Sequence, residues 1–179
     1  MIKIKFNQPK HFNQKSNGTS PLHYAVMLGA IDIVRWFLRQ PIGIDINSAD
    51  DQGRTPLFIC CEIGWRDITQ LLFSHHTNCD VNKADSIGRT PLFAACEGGH
   101  TDVVVELLQQ PLIDINYLSS ESTALAAAGK QGYEEIISIL LKRPEIDVNA
   151  MAEDSYTPIL IATKSMYYPL DLNCMNGFL

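Results

Sequence analysis

Asp85-Ser86-Ile87-Gly88-Arg89-Thr90-Pro91-Leu92-Phe93-Ala94-Ala95-Cys96-Glu97-Gly98-Gly99-His100-Thr101-Asp102-Val103-Val104 is the stretch from which the architecture can be read. Asp85 to Gly88 is turn chemistry, with a glycine available for positive φ. Thr90 suits an N-cap, its hydroxyl accepting an orphan amide, and Pro91 suits the first helical position, where a missing N–H costs nothing. Leu92, Ala94, Ala95 and Cys96 then give a short helix small apolar faces, and Gly98-Gly99 offers a left-handed stop. Asp102 falls in the first turn of a second helix, where its charge complements the macrodipole. Val103, Val104, Leu107 and Leu108 follow at helical spacing. Pro111 ends that helix, and Asp114-Ile115-Asn116 leads into the next turn.

The same order of residues returns along the chain. Ser20-Pro21-Leu22-His23, Thr55-Pro56-Leu57-Phe58 and Thr90-Pro91-Leu92-Phe93 are its strong starts; Thr123-Ala124-Leu125 and Thr157-Pro158-Ile159 are weaker ones. Counted from Pro21, Pro56, Pro91, Ala124 and Pro158, the steps are 35, 35, 33 and 34 residues. Each copy also ends alike, in Asp45-Ile46-Asn47, Asp80-Val81-Asn82, Asp114-Ile115-Asn116 or Asp147-Val148-Asn149. A fixed period of this length is the mark of a repeat array in which no unit can bury its apolar face alone.

This grammar resembles the ankyrin repeat family, whose unit of about 33 residues is a β-turn followed by two antiparallel helices with a Thr-Pro-Leu-His-type start. The resemblance implies an all-α repeat solenoid of helix-turn-helix units joined by β-hairpin turns. It divides the chain into a basic lead-in, 1–14, and an array counted over 15–162. The units are 15–49, 50–84, 85–118, 119–151 and a partial fifth, 152–168, before an irregular tail or cap, 169–179. Departures from the pattern fall late in the array. The fourth hairpin, Tyr117 to Ser122, is one residue shorter and has no glycine, and the fifth unit carries Met166 where the central glycine belongs.

Composition narrows the function. The 179 residues are 46% hydrophobic without an apolar run long enough for a bilayer, and carry a formal charge of -6. The four lysines of residues 1–15, with no acid among them, leave -10 on the remainder. That field repels phosphate and argues against general nucleic-acid binding, and no membrane association is expected. Five cysteines, an odd number without Cys-x-x-Cys spacing, read as reduced intracellular thiols; a cytoplasmic location is expected, with the nucleus as the alternative.

Candidate chemistry is sparse. Glu97-Gly98-Gly99-His100 lacks the lysine of a phosphate loop and lies where a helix-to-helix turn is needed. His75-His76-x-x-Cys79 offers three soft ligands, but on a connection after a second helix, and is read as a loop. Cys60, Cys61 and Cys96 occupy small-residue positions of first helices, as core residues. Asp50-Asp51 and Glu134-Glu135 open a turn and a helix, where capping explains them without acid-base work. No catalytic residue, metal or cofactor is expected, and the chain reads as a nonenzyme.

The resemblance places the binding face on the hairpin tips and the exposed side of the first helices. The matching hairpin positions are Ser16, Asn17 and Thr19; Asp51, Gln52 and Arg54; and Ser86, Ile87 and Arg89. On the helices they are Met27, Leu28, Glu62, Ile63, Glu97, Lys130 and Gln131. Arg54 and Arg89, one unit apart, suit two acidic groups of a partner, while Ile63 and Ile87 suit apolar contacts. Trp36 and Trp65 read either as binding anchors or as rings packed between units. The expected function is a monomeric, noncatalytic protein-binding module acting as scaffold, adaptor or inhibitor; the alternative is the targeting part of a larger enzyme or signalling protein. The resemblance also implies that Asn116 and Asn149, behind Leu108 and Leu141, could accept hydroxylation by an asparaginyl hydroxylase.

Overall fold

A computed structural model describes residues 15–16, 18–40, 44–75, 78–119 and 122–150. The lead-in 1–14, Asn17, Pro41, His76, the partial fifth unit 152–168 and the tail 169–179 with Cys174 lie outside the described residues. Among those described, eight helices pair off in chain order. They are α1 (Pro21–Met27) with α2 (Ile31–Leu38), α3 (Pro56–Ile63) with α4 (Arg66–His75), α5 (Pro91–Glu97) with α6 (Thr101–Leu108), and α7 (Ala124–Gln131) with α8 (Glu134–Leu141). First helices pack on first helices and second on second, α1 to α3 to α5 to α7 beside α2 to α4 to α6 to α8.

Every first helix starts in the same way. Ser20, Thr55, Thr90 and Thr123 hold extended backbone, and their hydroxyls accept the amides of His23, Phe58, Phe93 and Ala126 at 3.4, 3.1, 3.2 and 3.3 Å. Such a cap contributes about 1 kcal/mol. The start of α7 keeps the cap although Ala124 replaces the proline, so the weaker signature still opens a helix. Because α3 and α5 each sit between two first helices and a second helix, they are buried almost all round, and α7, packed on α5 and α8, is buried nearly as fully. Leu57, Phe58, Cys60 and Cys61 of α3, and Leu125, Ala126 and Ala128 of α7, are all core residues. The second helices bury one stripe, including Ile68 and Leu72, Val104 and Leu107, and Ile136 and Leu140.

Between paired helices the chain turns at a glycine and then returns an aromatic ring to the unit before. Gly64 closes α3 at φ 91°, and the imidazole of His100 from the next unit lies where a Cβ would be, its Nε2 donating to the Glu62 carbonyl, 3.1 Å away. An alanine there meets both a left-handed backbone and a ring. Trp65 stands against Gly29 and Tyr133 against Gly99 in the same way. Trp65 is thus packed between units, and Trp36 stands edge-on to Phe37 with centroids 5.3 Å apart.

The Asp-Ile/Val-Asn endings make the third joint. Ile46, Val81 and Ile115 plug the core, while Asp45, Asp80 and Asp114 accept the amides of Asn47, Asn82 and Asn116 at 3.0–3.1 Å. Each of those asparagines then bridges to the following unit. Asn47 donates to the Asn78 carbonyl and accepts from the Asp80 amide; Asn82 does so with Leu112 and Asp114, and Asn116 with Glu145 and Asp147, all at 2.6–2.9 Å.

The connections expected as β-hairpins are tight turns. One isolated bridge, Ser16 with Thr19, is the sole β pairing among the described residues. Five-residue turns close when the Asp50 amide donates to the Arg54 carbonyl and the Asp85 amide to the Arg89 carbonyl, both at 2.9 Å. They are too short for strands, and the Ser86 amide ties the two together through the Gln52 carbonyl at 2.8 Å. In the shortened fourth turn Ser119 replaces the aspartate: its amide and hydroxyl both donate to the Ser122 carbonyl, at 3.1 and 2.7 Å.

Candidate partner-binding face

The face assembles around two buried carboxylates. Asp50 Oδ1 accepts the amides of Gln52 and Arg54, both at 2.9 Å, and Asp85 Oδ1 accepts those of Ile87 and Arg89 at 3.1 and 2.8 Å. Their second oxygens take Arg54 Nε at 3.1 Å and Arg89 Nε at 3.0 Å. Burial would raise the Asp50 carboxyl, but the Arg54 amide and guanidinium and the Gln52 amide outweigh it and hold it below the usual carboxylate value. Asp50 is therefore the brace of a turn.

From the turns, both arginines reach down to the first helices. Arg54 Nη1 meets Glu62 Oε2 at 2.9 Å, and Arg89 Nη1 meets Glu97 Oε2 at 3.2 Å. Arg89 Nη2 also approaches Glu62 Oε1 of the preceding unit at 3.6 Å, and its guanidinium lies over the Phe58 ring, 5.6 Å from the centroid. Burial alone would lower the Arg89 guanidinium; Asp85, with Glu97 and Glu62, outweighs it and raises it. The two arginines expected from sequence to be open to a partner's acids are thus engaged by four carboxylates of their own chain. The physical reason is reach: from the turn, each side chain spans to a glutamate eight residues on.

What remains outward is a mixed surface. Asp51, Gln52, Ser86 and Ile87 are exposed at the turn tips, and Met27, Leu28, Ile63, Lys130 and Gln131 at the helix ends. Ile87 is 49% and Ile63 41% exposed, whereas Ile59, on the same helix as Ile63, is 1% exposed. Ser16 is exposed too, beside a Lys15 ammonium that donates to the Ala49 carbonyl; Thr19 is half-buried.

His23 is fully buried. Its Nδ1 faces Ser20 Oγ at 2.6 Å and its Nε2 meets the Arg54 carbonyl at 3.0 Å, joining the first unit to the second. Cys60, Cys61 and Cys96 are buried, and burial pushes all three thiols up; it pushes that of Cys79 up to about 12. Thiolate chemistry is disfavoured at each. His75 ends α4, and among the described residues no three His, Cys, Asp or Glu side chains gather as a metal site. Asn116 is held at both ends of its amide by the next unit, while Asn149, exposed at the end of the described array, donates its backbone amide to Asp147 at 2.8 Å.

One ion-pair cluster escaped the sequence reading. Glu106 of α6, almost buried, accepts from Arg66 Nη2 at 3.0 Å and Gln70 Nε2 at 2.6 Å of α4. Its signal is an acid in the middle of an otherwise apolar second helix, Val103 to Leu108. The turn ladder also had a signal, since Asp50, Arg54 and Glu62 repeat at identical spacing as Asp85, Arg89 and Glu97.

Capped helix pairs stacked in register, with side-chain rungs from unit to unit, define an all-α repeat solenoid. A family model for ankyrin repeats in three copies matches residues 42–119 and 68–152, and one for the single ankyrin repeat matches 17–51. The chain belongs to the ankyrin repeat family. Ankyrin repeats are generally protein–protein interaction modules and typically noncatalytic. No curated protein matches the chain. No helix among the described residues is long and apolar enough to cross a membrane.

Proposed function

We infer that the chain is a noncatalytic scaffold, adaptor or inhibitor that occupies the surface of a partner protein through its turn tips and the exposed ends of its first helices. The observation that carries this reading is the exposure of Ile63 and Ile87 amid polar groups, while Ile59, one turn before Ile63 on α3, is buried. An apolar centre with a polar rim is the usual anatomy of a recognition surface. Asp51, Gln52, Glu62, Ser86, Glu97, Lys130 and Gln131 supply that rim, and Arg54 and Arg89 hold it in shape. Its units join to their neighbours through rungs, so the face is preformed, and binding orders few groups. A monomer in the cytoplasm or nucleus fits this role.

Affinity capture from a native lysate tests it. Wild-type chain and a Val105→Asp variant, altered on the exposed side of α6, are expected to retain the same protein, and an Ile63→Asp, Ile87→Asp double variant to lose it. Equal capture by all three contradicts the face assignment. Hydroxylation of Asn116 or Asn149 would be an addition to this role, and Asn116 must release two inter-unit bonds to present its side chain. Intact mass after exposure to an asparaginyl hydroxylase, followed by fragment mapping, distinguishes them.

A further inference from the structure

The ladder of arginines and glutamates breaks off between the third and fourth units, and the break is lopsided. Glu62 receives two guanidiniums, Arg54 on Oε2 at 2.9 Å from its own unit and Arg89 toward Oε1 at 3.6 Å from the next. Glu97, one unit on, receives among the described residues only Arg89, on Oε2 at 3.2 Å. The residue just before the Thr123 cap, where Arg54 and Arg89 stand before Thr55 and Thr90, is Ser122. Among the described residues its hydroxyl reaches only the Thr123 carbonyl, at 3.5 Å. A serine thus stands where an arginine of the fourth unit would reach toward Glu97, and the Glu97 side chain is 40% exposed.

Charge and shape agree with that geometry. Asp50, Glu62, Asp85 and Glu97 set four carboxylates against two arginines, so the face of units two and three carries surplus negative charge. Ile63 and Ile87 stand exposed on the same two units. Phe93 occupies in the third unit the place of Phe58, whose ring underlies Arg89 in the second. Lys130, at the glutamate position of the fourth unit, makes no ion pair with Glu97.

We propose that this notch receives an arginine of the partner protein, which completes the ladder at Glu97 while a neighbouring apolar side chain of the partner meets Ile63 and Ile87. The inference rests on the proposed binding face and adds to it the chemistry of the partner: a cationic segment with an apolar neighbour. A guanidinium suits the place better than an ammonium because the two existing rungs use its planar fork to meet carboxylates at more than one nitrogen.

Selection from an unbiased displayed library of random peptides against the full chain is the experiment, with affinities of the selected peptides measured on variants whose folding is checked by circular dichroism. Arginine-containing peptides with a large apolar residue are expected. Their affinity should fall about tenfold in Glu97→Gln and in Ser122→Arg, which fills the notch from within, and rise in Lys130→Glu. Peptides without a basic residue, or arginine peptides indifferent to both Glu97→Gln and Ser122→Arg, overturn the proposal. Binding that survives those changes but is lost in Ile63→Asp, Ile87→Asp overturns the notch and leaves the face standing. Binding indifferent to all of them overturns both.

Discussion

Arg89 gathers a turn carboxylate, two helix glutamates and an aromatic ring from two units, so its removal reaches beyond one contact. Arg89→Met leaves Asp85, whose side chain is 3% exposed, without its cation, although two amides still hold it. A loss of about 2 kcal/mol in chemical denaturation is expected. His23 carries a pH dependence of definite sign. Burial, the largest influence, lowers it despite the hydrogen bond to the Arg54 carbonyl. The unfolded histidine titrates near 6.5, so below that pH the unfolded chain binds more protons. Stability is then full above about pH 6.5 and falls as pH drops toward the lowered folded value, by at most about 1.4 kcal/mol per unit. His23→Phe, which places there the residue of Phe58 and Phe93, should flatten this limb in urea titrations at pH 7 and pH 5.5. An unchanged limb contradicts the assignment to His23. Asp50, held low, acts further down: its contribution is present above its ordinary value and lost as pH falls through the depressed one.

At the scale of the element, the helix starts were fully legible in Thr90-Pro91 and its copies, because a cap and a first-turn proline act through local backbone alone. Thr123 has φ -89° and ψ 164°, against -85° and 165° at Thr90. The residue before a proline must be extended, and this one is. Ala124→Pro is therefore expected to raise stability by about 0.5 kcal/mol, read as an increase in melting temperature. A fall would mean that α7 starts differently from its siblings. The fourth turn was less legible, since Ser119 does the work of an aspartate with its hydroxyl and amide, which no spacing rule announces. The internal ion pairs of Arg54 and Arg89 were illegible for a related reason. Exposure of a long side chain depends on what lies within its reach in the folded unit, and Glu62 and Glu97 lie eight positions away along the chain.

For the whole molecule, the unit period and the buried rows followed from the repeat itself, while the joints between units emerged only in three dimensions. Asparagine rungs, the rings on Gly29, Gly64 and Gly99, and Glu106 with Arg66 all cross unit boundaries, where a single unit's pattern is silent. In a solenoid, stability is close to a sum of unit and interface terms. Asn82→Ala deletes two bonds of one rung and should cost about 1–3 kcal/mol, with earlier hydrogen exchange in α5 and α6 than in α7 and α8 if the coupling is confined to the neighbouring unit. A partner protein is expected to lie on the turn tips and first-helix ends. Amide chemical-shift mapping of the isotope-labelled chain with the captured partner tests this most directly. Perturbations clustered at Gln52, Ile63, Ile87, Glu97 and Gln131 are the predicted result. A cluster on α4 and α6, around Gln70 and Val105, with those five residues unmoved, would contradict it.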